Sequence, residues 1–418
     1  MKKTKFFYGW VIVLACMLLT AASTGILSYF GALFVEPVTA SLGLGRTEFT
    51  MYTTFATVTS MLIMPVIGDL YQRFPPKALI LTGALCGACS MLLFAAASTL
   101  PFFYGGAVLA GICISFCGGM PVAILLNNWF HEKRGLVTGI AFMGTGLFSA
   151  VFSPVISRVI VVWGWRRAYF VLACAILAIL VPTTLFLIRM QPSEMGISPY
   201  GKAADVREEQ AEAVGFTRRE AFRMPSFWLF AFALFLVGII TFGTQQHLVA
   251  YWTESGPGAE GAARAYSAVM LTAGIAKIGV GALFDRFSVG KTSLFCGLVA
   301  LGAMAGLPFF RDGWSILLPA LLFGATVPLQ VMLPTYLTSK LFGQRDYGAL
   351  YGLFSSLLFW GAGVGAPLNA LIYDRTGGYE AVWFLFSLLS IAMTAAMILS
   401  DLLSRKAFYE KFGKERKR

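Results

Sequence analysis

The chain has 418 residues, of which 58% are hydrophobic and 12% are charged, and its formal net charge is +12. Soluble globular domains carry about 25% charged residues, so this composition excludes an ordinary soluble domain and indicates lipid as the main solvent. The basic residues lie in short clusters between long apolar runs, which argues against nucleic acid as a partner and favours a lipid bilayer.

Twelve apolar segments are long enough to cross a membrane, because a spanning helix needs about 20 residues. The first six are predicted at 8–34, 48–70, 78–99, 101–127, 135–162 and 168–190. The other six are predicted at 225–252, 264–284, 292–310, 314–341, 347–372 and 379–401. The sequence therefore predicts an all-α membrane protein with an N-terminal six-helix bundle at 1–190, a cytoplasmic linker at 191–224 and a C-terminal six-helix bundle with a basic tail at 225–418.

The basic residues also predict the orientation of the chain. With the N-terminus in the cytoplasm, 24 of the 32 Lys and Arg residues fall on the cytoplasmic side and seven fall on the outer side. Positive charge accumulates in cytoplasmic loops of membrane proteins. We therefore expect both termini to be cytoplasmic.

The two halves repeat with a single offset of 213 residues. At this offset many glycines, prolines and charges coincide, among them the pairs Gly25/Gly238, Gly68/Gly281, Arg73/Arg286, Gly111/Gly324, Pro121/Pro334 and Gly139/Gly352. Parallel repeats of this kind, related by an axis along the membrane normal, occur in transporters that hold their substrate between the two halves.

The connections after the second and the eighth predicted helix carry related motifs, which read GDLYQRFPPK (68–77) and GALFDRFSVGK (281–291). Both resemble the G-x-L-x-D-R-x-G-x-K/R signature of the major facilitator superfamily, in which charges and a helix end latch neighbouring helices on the cytoplasmic side. The first copy departs from the signature, with Gln72 where Asp is expected and Pro75 where Gly is expected. The resemblance implies the twelve-helix fold of that superfamily and assigns a gating role to Gly68, Arg73, Gly281, Asp285 and Arg286.

A narrower resemblance lies at the junction of the fourth and fifth predicted helices, which reads NNWFHEKRGL (127–136). It is similar to the N-x-W-F-x-x-K-R-G-L-A-x-G pattern of the monocarboxylate transporter and oxalate/formate antiporter group, and FYGW (7–10) and HLV (247–249) also resemble that group. Asn128 lies near the inner end of the fourth predicted helix, and we expect it, together with Lys133 and Arg134, to belong to a gate or a helix end.

Lys277 lies within the eighth predicted helix, about 12 Å from its cytoplasmic end. A cation at that depth costs on the order of 3 kcal/mol or more unless it is paired or hydrated, and the 20 acidic residues all fall in predicted loops or at helix ends. We therefore expect a water-filled cavity and a site for a transported anion, although a snorkelling lysine is the alternative. In the monocarboxylate group, an Arg four residues before the Gly of the second signature motif binds the substrate carboxylate, and Lys277 stands four residues before Gly281.

Four further residues are candidates for the substrate site. For Tyr29 and for His247, a structural role is the alternative to contact with the substrate. A protonated His247 is one candidate for carrying a coupling proton. Gln330 indicates a polar lining in the tenth helix. Phe354 stands close to the position of a second cation in the oxalate exchanger, and residues 347–373 contain no Lys or Arg, so one central cation favours a monocarboxylate over a compact dianion.

These features predict a secondary active transporter of a small organic anion, with alternating access around Lys277 and either symport with H⁺ or anion exchange. An exporter of bulkier organic anions or drugs in the same fold is the alternative. The two histidines lie far apart and no nucleophile or metal-ligand motif occurs, which argues against an enzyme and against a metal or cofactor. The compact loops favour a bacterial cytoplasmic (inner) membrane, and the resemblance implies a monomer.

Overall fold

The computed structural model describes residues 7–201, 215–255, 258–311 and 313–412, and within these it contains the twelve predicted membrane-spanning helices. The first six, α1–α6, are Gly9–Tyr29, Glu48–Arg73, Pro76–Ala96, Leu100–Trp129, Arg134–Trp163 and Trp165–Leu187. The second six, α7–α12, are Pro225–Ser255, Gly261–Arg286, Val289–Gly306, Leu317–Phe342, Tyr347–Thr376 and Glu380–Phe412.

The chain divides into two compact units. The first comprises Met1–Ile63 and Asp69–Glu209, and the second comprises Met64–Gly68 and Gln210–Arg418. The division between Glu209 and Gln210 falls inside the predicted linker 191–224. The exact bounds of the two bundles and the linker stay a prediction.

The first predicted span, 8–34, is wrong at its end. The helix α1 changes to π-helical turns over Ala21–Tyr29, Phe30 interrupts it, and a separate helix follows at Gly31–Leu42. Within the π-helical stretch, Gly25 lies close to Thr145 of α5, where an added Cβ would stand 3.4 Å from the Thr145 carbonyl oxygen. The apolar sequence continues through the break, so hydropathy carries no sign of it.

The last predicted span, 379–401, ends too early, because α12 continues as a helix to Phe412. Ion pairs four residues apart support the extension: Asp401 and Arg405 are 2.8 Å apart, and Lys406 and Glu410 are 4.0 Å apart. Such pairs stabilise a helix that has left the apolar region. The rest of the predicted basic tail, 413–418, lies outside the described residues.

Two helices are irregular near repeat-equivalent prolines. The helix α4 is interrupted at Gly118, three residues before Pro121. The helix α10 has a π-helical turn at Leu333–Leu337 that contains Pro334. A proline inside a helix removes one backbone hydrogen bond and displaces the preceding turn. The equivalent helices α4 and α10 are therefore deformed at related depths in the two halves.

The two described ends of the central loop, which is the predicted linker 191–224, are each joined to their own unit by a backbone bridge. Tyr200 bridges Phe130, and its amide donates to the carbonyl oxygen of Trp129 at 2.9 Å. Gly215 bridges Gly343, and the next amide, that of Phe216, donates to the carbonyl oxygen of Phe342 at 2.9 Å.

Candidate functional site

Lys277 lies on the buried face of α8. The residues at helical spacing before and after it, Val269, Ala273, Val280 and Phe284, are all buried, and Lys277 itself is 5% exposed. Residues three and four apart share one side of a helix, so the lysine replaces an apolar residue in an otherwise apolar stripe.

The buried stripe of α8 packs against α10. A Cβ added at Gly324 would lie 2.6 Å from the backbone oxygen of Val269, so only glycine allows this approach of the two helices. Twelve residues further along α10, the hydroxyl of Tyr336 donates to the carbonyl oxygen of Phe284 at 3.1 Å. Both helices therefore run in the same direction, and the register offset is 55 residues at the first contact and 52 at the second.

This register places Gln330 at the same level as Lys277. Gln330 lies halfway between the two contacts on α10, level with residues 276 and 277 of α8. Within the described residues, its Nε2 atom is buried and makes no hydrogen bond, whereas the hydroxyl of the neighbouring Thr326 donates to the Phe323 carbonyl oxygen at 2.7 Å. Buried amides almost always have a partner, so Gln330 keeps a donor available at the depth of the lysine.

Tyr29 belongs to the first unit. It ends the π-helical stretch of α1 and is half-buried. The neighbouring Phe30 is buried and packs on Phe148, with ring centroids 6.2 Å apart.

His247 bridges two helices of the second unit. Its Nε2 atom lies 3.2 Å from the carbonyl oxygen of Ala366 on α11, and its ring lies 6.0 Å from that of Tyr379. A carbonyl oxygen can only accept, so Nε2 carries the hydrogen and donates. This placement gives the half-buried His247 a structural contact.

Phe354 lies inside an aromatic cluster. Its side chain is fully buried, and its ring lies 4.8 to 5.4 Å from the rings of Phe230, Phe227 and Phe342. These contacts favour a packing role for Phe354 over contact with a substrate.

The two latch motifs, defined as residues 68–77 and 281–291, differ in their surroundings. Gly68 and the exposed Arg73 lie in the last turns of α2. In the second motif, Gly281 is buried, Asp285 is half-buried, and the exposed Arg286 lies 5.7 Å from the ring of Phe287. The second motif also contacts Asp401, which sequence reasoning missed: the Asp401 carboxylate accepts a hydrogen bond from the amide of Gly290 at 3.1 Å.

The α4–α5 junction motif (127–136) and the FYGW motif (7–10) lie against each other, although they are far apart in the sequence. Hydrogen bonds from side chains to backbone carbonyl oxygens also hold the junction. Asn128 donates from Nδ2 to the Met190 carbonyl oxygen at 3.0 Å, and Arg134 donates to the carbonyl oxygens of Phe130 and Asn127.

Lys133 adopts a left-handed backbone conformation, with φ of 58°, and its Nζ atom lies 5.6 Å from the ring of Tyr200. The rings of Phe7 and Tyr8 pack on Trp129 at 6.1 and 5.7 Å. The residues of the junction therefore form one structural cluster.

Comparison with known proteins gives consistent results. A sequence model of the Major Facilitator Superfamily matches residues 13–366. Monocarboxylate transporter 11 of Homo sapiens is 24% identical over 394 residues, which cover 90% of this chain and 80% of that protein. The oxalate:formate antiporter of Oxalobacter formigenes is 26% identical over 394 residues, which cover 86% and 84%.

Among solved structures, the E. coli fucose:proton symporter superposes on this chain with a TM-score of 0.70. The match covers 94% of this chain and 99% of the symporter at 14% sequence identity, and it shows the same fold.

Proposed function

This chain belongs to the major facilitator superfamily of membrane transporters and is not an enzyme, and on that premise we propose that it carries a small organic anion, most simply a monocarboxylate. The observation that carries the proposal is the burial of Lys277 within a membrane-spanning helix. Lys277 lies nine residues before Arg286, the last residue of α8, which corresponds to a depth of about 14 Å.

A cation at this depth marks a functional site. Moving a lysine to the centre of a spanning helix costs about 3 kcal/mol, and α8 carries it on the stripe that packs against α10. A transported carboxylate brings an opposite charge to this lysine while it is bound. The positive charge therefore favours binding of an anion at this depth, and release of the anion favours a change in the conformation of the transporter.

Gln330 supplies a second polar contact for the same substrate. Its buried Nε2 atom makes no hydrogen bond within the described residues and lies level with Lys277. We infer that the lysine binds one carboxylate oxygen while the amide donates to a neighbouring oxygen of the substrate. Two donors at one depth suit a short acid that has oxygen atoms close together.

The named relatives support this class of substrate. Two of the matches are named for a monocarboxylate and for exchange of oxalate with formate. We propose that the two units alternate around Lys277 and that Tyr29 contributes from the first unit. The residues three and four positions from Lys277 on α8 are Ala273, Gly274, Val280 and Gly281. None of them is a carboxylate that carries a proton, which favours exchange over H⁺ symport. We also propose a bacterial inner membrane, cytoplasmic termini and a monomer.

The test is uptake of radiolabelled lactate, pyruvate, formate and oxalate into proteoliposomes, with and without anion inside and with and without an inward proton gradient. We expect Lys277→Ala to abolish saturable uptake of the acid that is carried, Lys277→Arg to retain part of it, and Gln330→Leu to raise KM about tenfold through the lost hydrogen bond. Lys406→Ala is the matched control, because its side chain is 74% exposed. Unchanged uptake in Lys277→Ala would refute the role of the lysine.

A further inference from the structure

Asp401 is a buried carboxylate that belongs to neither latch motif. It lies on α12, and its side chain is 5% exposed. Burying a carboxylate is unfavourable unless hydrogen bonds and an opposite charge compensate. Its contacts therefore show what the carboxylate holds in place.

Among the described residues, Asp401 contacts one backbone amide and one guanidinium. Its Oδ2 atom accepts from the amide of Gly290 at 3.1 Å. Arg405, one turn later on α12, donates from Nε to Oδ1 at 2.9 Å and places Nη2 2.8 Å from Oδ2. The arginine is half-exposed, so it compensates the charge from the solvent side, and the carboxylate remains directed at Gly290.

Gly290 is the second residue of α9, and an amide at this position has no acceptor within its own helix. Asp401 supplies the acceptor from another helix, and a negative charge is favourable at a helix N-terminus. The neighbouring Thr292 donates to the Leu283 carbonyl oxygen of α8 at 3.2 Å. The start of α9 is therefore bonded both to α12 and to the last turns of the helix that carries Lys277.

The same stretch of α12 is bonded to two further helices. Ser400 donates to the Ser226 carbonyl oxygen of α7 at 2.8 Å, and Ser404 donates to the Leu341 carbonyl oxygen of α10. We propose that Asp401 is a positioning residue for the second latch motif: it fixes the end of α8 to α12, so that the helix of Lys277 moves together with its own unit during transport.

The repeat offset provides a comparison within the chain. In the first half, the positions that correspond to Asp401 and Gly290 are Ile188 and Lys77. An isoleucine side chain cannot accept a hydrogen bond, so the carboxylate of Asp401 has no counterpart at the equivalent position of the first half.

The first experiment measures amide hydrogen exchange with single-residue resolution in reconstituted protein. In Asp401→Ala we expect exchange at Gly290 to rise at least tenfold and exchange in the last turn of α8 at least threefold. Asp401→Asn keeps an acceptor and should show a smaller rise at Gly290, while Glu410→Gln, which removes an exposed carboxylate from the same helix, should match the wild type. Unchanged exchange at both sites in Asp401→Ala would overturn the proposal, whether or not any acid is carried.

The second experiment separates positioning from general stability. The proposal requires movement of the two units but does not depend on the identity of the substrate. For whichever of radiolabelled lactate or oxalate the wild type carries, we expect Asp401→Ala to lower turnover at least fivefold and to leave KM within twofold, because Lys277 keeps its surroundings. Partial recovery in Asp401→Asn is expected. Faster exchange at Gly290 with normal turnover would show that the contact has no role in transport.

Discussion

Phe130 and Gly343 lie 213 residues apart, the offset that relates the two halves, and each forms the backbone bridge that joins one end of the central loop to its own unit. Tyr200 pairs with Phe130 and Gly215 pairs with Gly343. The loop is therefore attached at equivalent junctions, α4–α5 in one unit and α10–α11 in the other. Equivalent attachment follows from the duplicated junction, because each provides free backbone groups where one helix ends and the next begins.

Tyr200 should be the main side-chain contact of the first attachment. Its ring lies 5.7 Å from that of Phe7 and 5.9 Å from that of Phe130. Because each aromatic contact contributes about 0.5–1.5 kcal/mol beyond burial, we expect Tyr200→Ala to lower the free energy of unfolding by about 1–2 kcal/mol. Thermal unfolding measures this change, and Tyr409→Ala is the control, since Tyr409 is 70% exposed. Equal unfolding temperatures in the two variants would contradict the expected contact.

The stability of the chain just after the second attachment, where Glu220 lies, should depend on pH. Glu220 accepts hydrogen bonds from Lys411 at 2.7 Å and from the amide of Thr217 at 2.8 Å, and these contacts lower its pKa from 4.5 to about 2. Since the folded pKa is the lower one, the stabilisation is complete above pH 4.5 and is lost as the pH falls from about 4.5 to about 2.

The side chain of Glu220 is 44% exposed, so solvent and salt reduce the size of the effect. Amide exchange of residues 216–221, corrected for intrinsic rates, should rise across this pH window in the wild type. In Glu220→Gln it should already be raised at pH 6 and change little on acidification. Glu410→Gln should behave as the wild type, and an identical acid response in Glu220→Gln would rule out this carboxylate as the cause.

The twelve spans and the family were predictable because both depend on local sequence. Long apolar runs indicate spanning helices, and the latch motifs around Gly281 and Gly68 indicated the superfamily, which the family match confirms. The break at Phe30 and the extension of α12 to Phe412 were not predictable from hydropathy, because helix geometry continues or stops there independently of it.

Parts of the site also depend on contacts that the sequence does not show. Lys277 was identifiable as a charge in an apolar run, but Asp401 lay at the predicted end of a span and resembled an ordinary helix-end residue. Its bond to Gly290 joins residues 111 positions apart. The spacing of Asp401 and Arg405, four residues apart, was the available sign that the carboxylate belongs to an ordered helix.

His247 should act through its contact with α11. Because Nε2 donates to the Ala366 carbonyl oxygen, His247→Leu removes a hydrogen bond between helices and should lower the free energy of unfolding by about 1 kcal/mol. His247→Gln retains a donor and should be less affected, and the exposed neighbour Gln246 provides the control Gln246→Leu. We expect the dependence of uptake on the proton gradient to be the same in His247→Gln and in the wild type. Its loss would instead identify His247 as a proton carrier.

Gly324 should limit how closely α8 and α10 approach. A Cβ there would meet the backbone oxygen of Val269 at 2.6 Å and the Cβ of Thr272 at 2.8 Å, so Gly324→Ala must push the two helices apart. Such overpacking costs about 1–3 kcal/mol, and it should also weaken uptake, because Gln330 and Lys277 lie on the same two helices.

The matched control is Gly274→Ala on α8, where an added Cβ meets no atom within 4 Å. Alanine favours a helix over glycine by about 0.5–1 kcal/mol, so this variant should be as stable as the wild type or slightly more stable, with normal uptake. Thermal unfolding and KM for the transported acid measure both effects. If Gly324→Ala matched Gly274→Ala in both measurements, the close approach of α8 and α10 would not set the geometry of the site.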